Sequence, residues 1–298
     1  MPRKPEAFTN IATLRERYYK ALPGKESLLQ TINQAEIPEH VYNSNAIENS
    51  TLSLEETEKI LLDIELERYI ETREIHEARN LARVVEYIEQ KAEQHELTSD
   101  LVLLLHKMLL ANIDESISGC FRQDGEWVRV GAYIAPDPKE VPKLITDWLT
   151  TYKADSTSHI ITRIARFHLE FEHIHPFCDG NGRIGRVLNN YALLRDGYVP
   201  INIAFADRAL YYDAFKEYDE KRSTTVMEGL IGRALTESYH KRLAYMEGKQ
   251  IITLKEYAKT VTDSASNLLN KAERQTIEAF QEKGVWKIGV SEGKKGKG

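Results

Sequence analysis

Cysteine is nearly absent: Cys120 and Cys178 are the only two in 298 residues, too few for a disulfide framework or a tetrahedral thiolate zinc site. Both are expected to be reduced. No long hydrophobic run exists either. The longest lies near Leu101–Leu105, far below the roughly 18 residues that a bilayer-spanning helix needs. The N-terminus, MPRKPEAFTNIATLRERYY, lacks the apolar core of a secretory signal, so cytoplasm is the expected compartment and no membrane is expected as a partner. Positive charge is not in excess: 40 Lys and Arg face 46 Asp and Glu, a net charge of −6. The chain as a whole has no electrostatic footprint for nucleic acid, and any such role must be local. Glycine and proline are scarce, 16 and 9 residues.

What remains is an ordinary soluble composition, 42% hydrophobic, 9% aromatic and 29% charged, over about two domains' worth of chain. Apolar residues recur at spacings of three and four rather than two, so helix should dominate. Ser53 followed by Glu56 reads as a capping box opening a helix or a joined pair through Leu61, Ile64, Tyr69, Ile75, Leu81, Val84, Val85 and Ile88. Thr98 or Ser99 opens another helix through Leu110, and residues 141–152, 158–172, 183–195 and 208–220 read as four more. Gly119 to Gly131 breaks the habit: Asp124-Gly125 sits between two short β-prone runs, the signature of a hairpin. Apolar periodicity lapses around Tyr245–Lys249 and restarts at Thr253, which places a boundary near there.

The segment from Phe171 to Arg186, FEHIHPFCDGNGRIGR, carries the chemistry. Its glycines let backbone N–H groups turn toward an anion, and a helix N-terminus follows with its partial positive charge, so the loop is built to cradle phosphate. Arg183 and Arg186 share a face of that helix and would hold further phosphate oxygens. Asp179 supplies the hard carboxylate that Mg²⁺ prefers beside phosphates. His175 is left as the base. A zinc site fits poorly, because His168, His173 and His175 lack the i,i+4 pairing of a helical metallohydrolase motif.

This segment resembles the signature of the Fic family, His-Pro-Phe-x-Asp/Glu-Gly-Asn-Gly-Arg-x-x-Arg. His175, Pro176, Phe177, Asp179, Gly180, Asn181, Gly182, Arg183 and Arg186 fill every specified position, and the likeness extends over residues 43–219. The resemblance implies a mainly α fold, a Fic-type helical bundle with a small β-hairpin flap, that transfers AMP from ATP to a Tyr, Ser or Thr hydroxyl of a target protein. It implies that His175 deprotonates the hydroxyl and that Asp179 holds Mg²⁺ or Mn²⁺. Gly180, Asn181 and Gly182 would then hold the α-phosphate, with Arg183 and Arg186 on the β and γ phosphates. Phe177 is expected to pack inward, and Cys178, at a variable position, to pack rather than attack. A relative that transfers the terminal phosphate has lysine where this chain keeps Gly182, which favours nucleotidyl transfer, with UMP open as an alternative donor group.

Ser44, Glu48 and Asn49 resemble the family's inhibitory motif, Ser/Thr-x-x-x-Glu-Gly/Asn, which would set Glu48 against Arg186 and leave open a second role for Glu48 in removing AMP. The flap, 119–131, would dock a target segment by β-augmentation through Phe121, Arg122, Val128, Arg129 and Val130. The expected domains are an N-terminal helical region over 1–95 with the inhibitory helix at about 43–50, a Fic core over 96–245 with its loop at 175–186, a small module over 250–290 and a flexible tail over 291–298. The module resembles winged-helix or excisionase-like DNA-binding units, packed through Leu254, Tyr257, Ala258, Leu268 and Leu269. From residue 250 onward nine Lys and Arg face six Asp and Glu, a weak balance for DNA, so protein contact and a homodimer stand beside DNA binding as its partners. A nucleotide-binding regulator is the alternative to an enzyme. His175 speaks for the enzyme, since a sensor needs no base beside its phosphate loop.

Overall fold

The computed structural model describes residues 6–130 and 133–291. Gly131, in the expected flap, and residues 292–298, most of the expected tail, lie outside the described residues. Two helices open the chain, α1 over Glu6–Ala21 and α2 over Glu26–Ile47. Next comes α3, Leu54–Leu61, with the capping box in place: the Ser53 hydroxyl accepts from the Glu56 N–H, and the Glu56 carboxylate accepts from the Ser53 N–H. The apolar pattern beyond it belongs to a second helix, α4, Thr72–Lys91, and Thr98 caps α5, Ser99–Leu109. A two-stranded ribbon, β1 Arg129–Val130 and β2 Tyr133–Ile134, precedes α6 Val141–Ala154, α7 Ile160–Ile174, α8 Asn181–Arg195, α9 Arg208–Lys221 and α10 Thr225–Met246. Among the described residues no helix is long and apolar enough to cross a membrane.

By its contacts the chain forms two compact units, one over Ile37–Leu230 and one joining residues up to Glu36 with those from Ile231 onward. In the first, α7 and α8 pack on each other, with α4 against α8 and α6 against α7. Ile161, Ile164 and Phe171 of α7 and Ile184, Leu188 and Tyr191 of α8 are all fully buried. Because α8 is enclosed on nearly every side, its polar residues need internal partners. Asn190 shows how this is met: its amide bonds both the N–H and the C=O of Ile201 at 2.8 and 2.9 Å.

The hairpin lies further along the chain than the sequence suggests. Arg129 pairs with Ile134 and Val130 with Tyr133, antiparallel, so the strands lie on the far side of Asp124-Gly125 and do not flank it. Asp124-Gly125 does make a tight turn, closed by the Glu126 N–H on Gln123 O at 2.9 Å. Its leading arm is held elsewhere, however, because the Arg122 N–H bonds Pro176 O at 2.9 Å.

In the second unit Arg242, almost wholly buried, meets Glu36 at 2.6 Å and Asn33 at 2.9 Å, while Lys241 bridges Glu36 and Glu282. Three strands, β3 Gln250–Thr253, β4 Ala279–Glu282 and β5 Val285–Val290, form an antiparallel sheet in the order β3-β5-β4. Lys283 and Gly284 both take positive φ (51° and 73°), the turn geometry that suits a two-residue hairpin. Two short helices, α11 Leu254–Tyr257 and α12 Ala265–Glu273, lie between β3 and β4. Leu254, Leu268, Ala272, Ala279 and Ile288 form the small core there. Leu269 is 40% exposed, and Ala272, one turn on from Leu268, takes the buried place expected for it.

Candidate active site

Helix α7 buries Ile160, Ile161, Ile164, Phe167, His168 and Phe171 and stops where His175 turns left-handed, at φ 47° and ψ 62°. For a residue with a Cβ that conformation costs about 1–3 kcal/mol and must be held by its surroundings. Arg122 holds it. Its buried guanidinium donates from Nε to His175 O at 2.8 Å, from Nη1 to Glu126 O at 3.0 Å, and from Nη2 to Pro136 O at 3.0 Å and Ile174 O at 3.4 Å. Arg122 is 2% exposed, so the sequence-based assignment of it to target docking is corrected: a side chain spent on four carbonyls is a brace under the loop.

The loop after His175 is closed from within. Phe177 is fully buried and stacks on His106, ring centroids 3.7 Å apart, with half-buried Phe121 against it at 5.5 Å. The Asn181 side chain accepts from the Phe177 N–H and donates to Phe177 O, at 2.9 and 2.8 Å. Its amide is thereby occupied, and what Asn181 offers an anion is its backbone N–H. Gly180 sits at φ +80°, where a Cβ would meet Leu109 Cδ2 at 3.0 Å. The first internal bond of α8 is Ile184 N to Gly180 O, so the N–H groups of Asn181, Gly182 and Arg183 form the open, electropositive end of the helix.

Charged side chains converge on that end. Arg183 donates to Glu77 at 3.1 Å and to Asp179 at 3.3 Å, and Arg73 bridges the same two carboxylates. Arg186 is enclosed, with every donor nitrogen engaged: Nε with Ser44 Oγ at 2.9 Å, Nη1 with Tyr211 OH at 3.1 Å, Nη2 with Ser44 O at 2.8 Å and Glu48 Oε1 at 2.9 Å. The Glu48 carboxylate lies over Gly182, where any Cβ would strike Oε1. Asn49, left-handed at φ 70°, accepts from Arg208 Nη2 at 2.6 Å.

One cavity of about 380 Å³ gathers His175, Asp179, Gly180, Asn181, Gly182 and Arg183 with Glu48 and Asn49. Arg186 and Ser44 line a smaller hollow beside it. The flap residues stand apart from both: Arg129 is exposed, and Val128 and Val130 are half-buried in or beside the ribbon. Two residues that the sequence pattern did not single out belong to the site. His106 accepts from the Gly119 N–H at Nδ1, 3.0 Å, and so donates from Nε2 to Asp179 O, 3.0 Å. Burial pushes its pKa down to about 4, in keeping with this neutral tautomer. Glu172, one turn before His175, places Oε2 3.7 Å from His175 Nδ1.

Burial, with Arg122 adding to it, pushes the His175 pKa down to about 4, so the imidazole is neutral at pH 7 and able to accept a proton. Burial first, then the nearby Glu126, pushes the Cys178 thiol up to about 11, which leaves it protonated and unreactive. Asp179 is the carboxylate that a divalent cation would use. Among the described residues no group of three or more His, Cys, Asp and Glu could hold a metal by itself. One carboxylate beside an anion cradle does fit Mg²⁺, which takes one or two carboxylates and completes its shell with phosphate oxygens and water. The cation would have to take the place of Arg73 and Arg183 on Asp179.

Residues 96–193 match the Fic/DOC family. The chain carries a Fic domain. Over 243 residues it is 31% identical to the protein adenylyltransferase Fic of Drosophila willistoni, covering 74% of this chain and 48% of that protein. It is 30% identical, with the same coverage, to the protein of that name in Drosophila melanogaster. The chain thus spans about half the length of the curated relatives it matches. Among solved structures, a Fic domain containing signaling protein from Bacteroides thetaiotaomicron superposes with a TM-score of 0.72 at 25% identity, covering 81% of this chain and 98% of that one. Fic-1 from C. elegans, residues 134–508, superposes with a TM-score of 0.70 at 24% identity, covering 80% and 70%; that likeness is one of fold.

Proposed function

We propose that this Fic chain is a protein adenylyltransferase that moves AMP from ATP to a hydroxyl side chain of another protein, and that Glu48 holds it in a slow state. The observation that carries the reading is the shared cavity, where a neutral imidazole, the Asp179 carboxylate held by Arg73 and Arg183, and the open end of α8 face the same space. Phosphoryl-type transfer asks a protein mainly for positioning and charge neutralisation, and these groups supply both. The hydroxyl oxygen attacks the α-phosphorus in line and the bond to the β-phosphate's bridging oxygen breaks. Pyrophosphate leaves, and the hydroxyl proton passes to His175 Nε2. A bound triphosphate raises the His175 pKa from its low resting value toward the range where a base is most effective. Asp179 would hold Mg²⁺, which neutralises phosphate charge when bound; Arg73 would then keep Glu77 as its partner.

Arg186 is the natural holder of the γ-phosphate, and Glu48 occupies it. The same carboxylate sits where it would orient a water for hydrolysis of an AMP bond, so removal of AMP is a second activity of this site. The target docks on the ribbon, where Trp127 and Ile134 are 58% and 62% exposed, by adding a strand to its edge. The test is incubation with ATP labelled at the α or the γ phosphate. Label reaching protein only from the α position supports AMP transfer. Label only from γ makes the chain a kinase, and label from neither makes it a nucleotide-binding regulator.

A further inference from the structure

Three buried side-chain atoms on the last turns of α7 and at its end, Glu172 Oε1, His175 Nδ1 and His168 Nδ1, have no close hydrogen-bond partner, although the Glu172 backbone faces the His175 ring and the Gly185 backbone faces the His168 ring. Buried polar atoms are nearly always paired, so a cluster of three calls for a reason. Glu172 and His168 come together because α8 presents bare backbone to them at Gly185. A Cβ at Gly185 would lie 2.5 Å from Glu172 Oε1 and 3.0 Å from His168 Cε1. The other oxygen of Glu172 is 3.7 Å from His175 Nδ1, slightly beyond hydrogen-bond range.

We propose that Glu172 is a positioning residue for His175: its enclosed carboxyl faces the Nδ1 side of the imidazole, leaves Nε2 as the nitrogen presented to the hydroxyl, and by gaining or losing its own proton sets how basic Nε2 is. The proposal rests on the reading of His175 as the base. The i,i+3 spacing puts Glu172 on the last turn of α7, and the left-handed turn at His175 folds the ring back over that turn. A protonated carboxyl can accept from the Nδ1–H through its carbonyl oxygen, and a shift of a few tenths of an ångström makes the bond. An ionised one attracts an imidazolium and makes His175 the stronger base.

The groups facing Glu172 fix which form prevails. Burial is the largest effect and pushes its pKa up to about 8; Glu48, past the end of α2, pushes the same way, and Arg186 on α8 opposes both. His168 lies on its own helix, and Tyr211 on α9 feels its charge. His168 Nε2 is bonded to Tyr211 OH at 2.8 Å, and that oxygen accepts from Arg186. Near pH 7 Glu172 is therefore mostly neutral, and it ionises as pH rises through about 8. The rate of transfer should climb over that interval. Removing Glu48 takes away one of the charges that keep Glu172 protonated, so in Glu48→Gly the climb moves to lower pH.

The experiment compares the full chain, Glu172→Gln and His175→Ala, using ATP labelled at the α-phosphate across pH 6–10, and follows the ring nitrogens of His175 by ¹⁵N NMR without nucleotide. The parent rate should rise about 3–10-fold through the Glu172 titration, a shift of one to two pKa units in the base acting at partial proton transfer. Glu172→Gln should be slower and flat over the same range, with KM for ATP unchanged. In the parent, the His175 nitrogens should report the tautomer with the proton on Nδ1 and shift as Glu172 ionises. A Glu172→Gln profile matching the parent overturns the proposal, as does a His175 ring blind to any titration between pH 7 and 9. The second readout needs only the parent chain, so it stands even if the variant fails to fold. Undiminished transfer by His175→Ala would instead overturn the reading of the base.

Discussion

Glu48 Oε1 lies 2.9 Å from Arg186 Nη2, while Ser44 supplies that arginine with both its hydroxyl and its backbone carbonyl. Ser44 and Glu48 are one helical turn apart, so a single face of the chain around the end of α2 claims the guanidinium. The arginine cannot keep these partners and hold a triphosphate in the same way. The carboxylate also puts negative charge over Gly182, next to the open N-terminus of α8.

Ser44→Ala removes one of the bonds that hold Arg186 in this arrangement and leaves Glu48 in place. A single hydrogen bond is worth about 0.5–1.5 kcal/mol, so AMP incorporation should rise about 2–10-fold. Initial rates at saturating ATP check it, and a fall in rate would mean that Ser44 serves transfer itself.

His175→Ala should cut transfer by about 10²–10⁴ and leave ATP affinity nearly unchanged, since the ring acts on the incoming hydroxyl and the α8 N-terminus stays intact. Asp179→Ala should lose activity together with the Mg²⁺ dependence of nucleotide binding. Calorimetric titration of both variants with ATP, with and without Mg²⁺, separates the two roles.

Acid should loosen the fold before the carboxylates titrate. Burial holds His168 at about 3, and His106 and His175 at about 4, against an ordinary value near 6.5. The unfolded chain binds these protons first, so stability is present above about pH 6.5 and is lost as pH falls toward the folded values. Glu172, raised to about 8, works in the opposite sense, and its share is lost as pH rises through that value. The unfolding midpoint should fall steadily from about pH 6.5 to 4.5, and His168→Gln should flatten that slope. A midpoint independent of pH over this window would show that the three imidazoles are not desolvated.

From Gln250 onward the chain should bind duplex DNA weakly and with strong dependence on salt, because its positive balance is small. Gel shifts of the full chain and of a chain ending before Gln250 test this. Tight, sequence-selective binding lost on truncation would make the terminal sheet and its helices a DNA reader and set aside the preference for protein contact.

The anion cradle from Gly180 to Arg183 was legible in the sequence because local chemistry dictates it: glycines that let the backbone turn, and amides at a helix start. The left-handed turn at His175 was not, since Arg122 holds it from far along the chain. The caps at Ser53 and Thr98 are local too. Glu172, His106 and the role of Arg122 were not legible, because each depends on groups far away in the chain. Arg122 looks like a surface residue of a hairpin until Ile174, His175 and Pro136 supply carbonyls around it. His106 had a faint signal, a lone polar residue among the buried Leu101, Val102, Leu105 and Leu109 of α5. The hairpin was misplaced by a good turn dipeptide, Asp124-Gly125, that closes a turn without strands on both sides.

The central claim is that an adenylyl-transferring site is restrained by one carboxylate. The initial rate of AMP incorporation from α-labelled ATP, compared between the parent and Glu48→Gly, tests it most directly. Freeing Arg186 lets the triphosphate settle with its α-phosphorus in line, and since a displacement of ~1 Å can cost ~10²-fold, a rise of that order is predicted. The gain should vanish when His175→Ala is added. Equal rates for the parent and Glu48→Gly would contradict the account and leave residues 44–49 as an ordinary helix end.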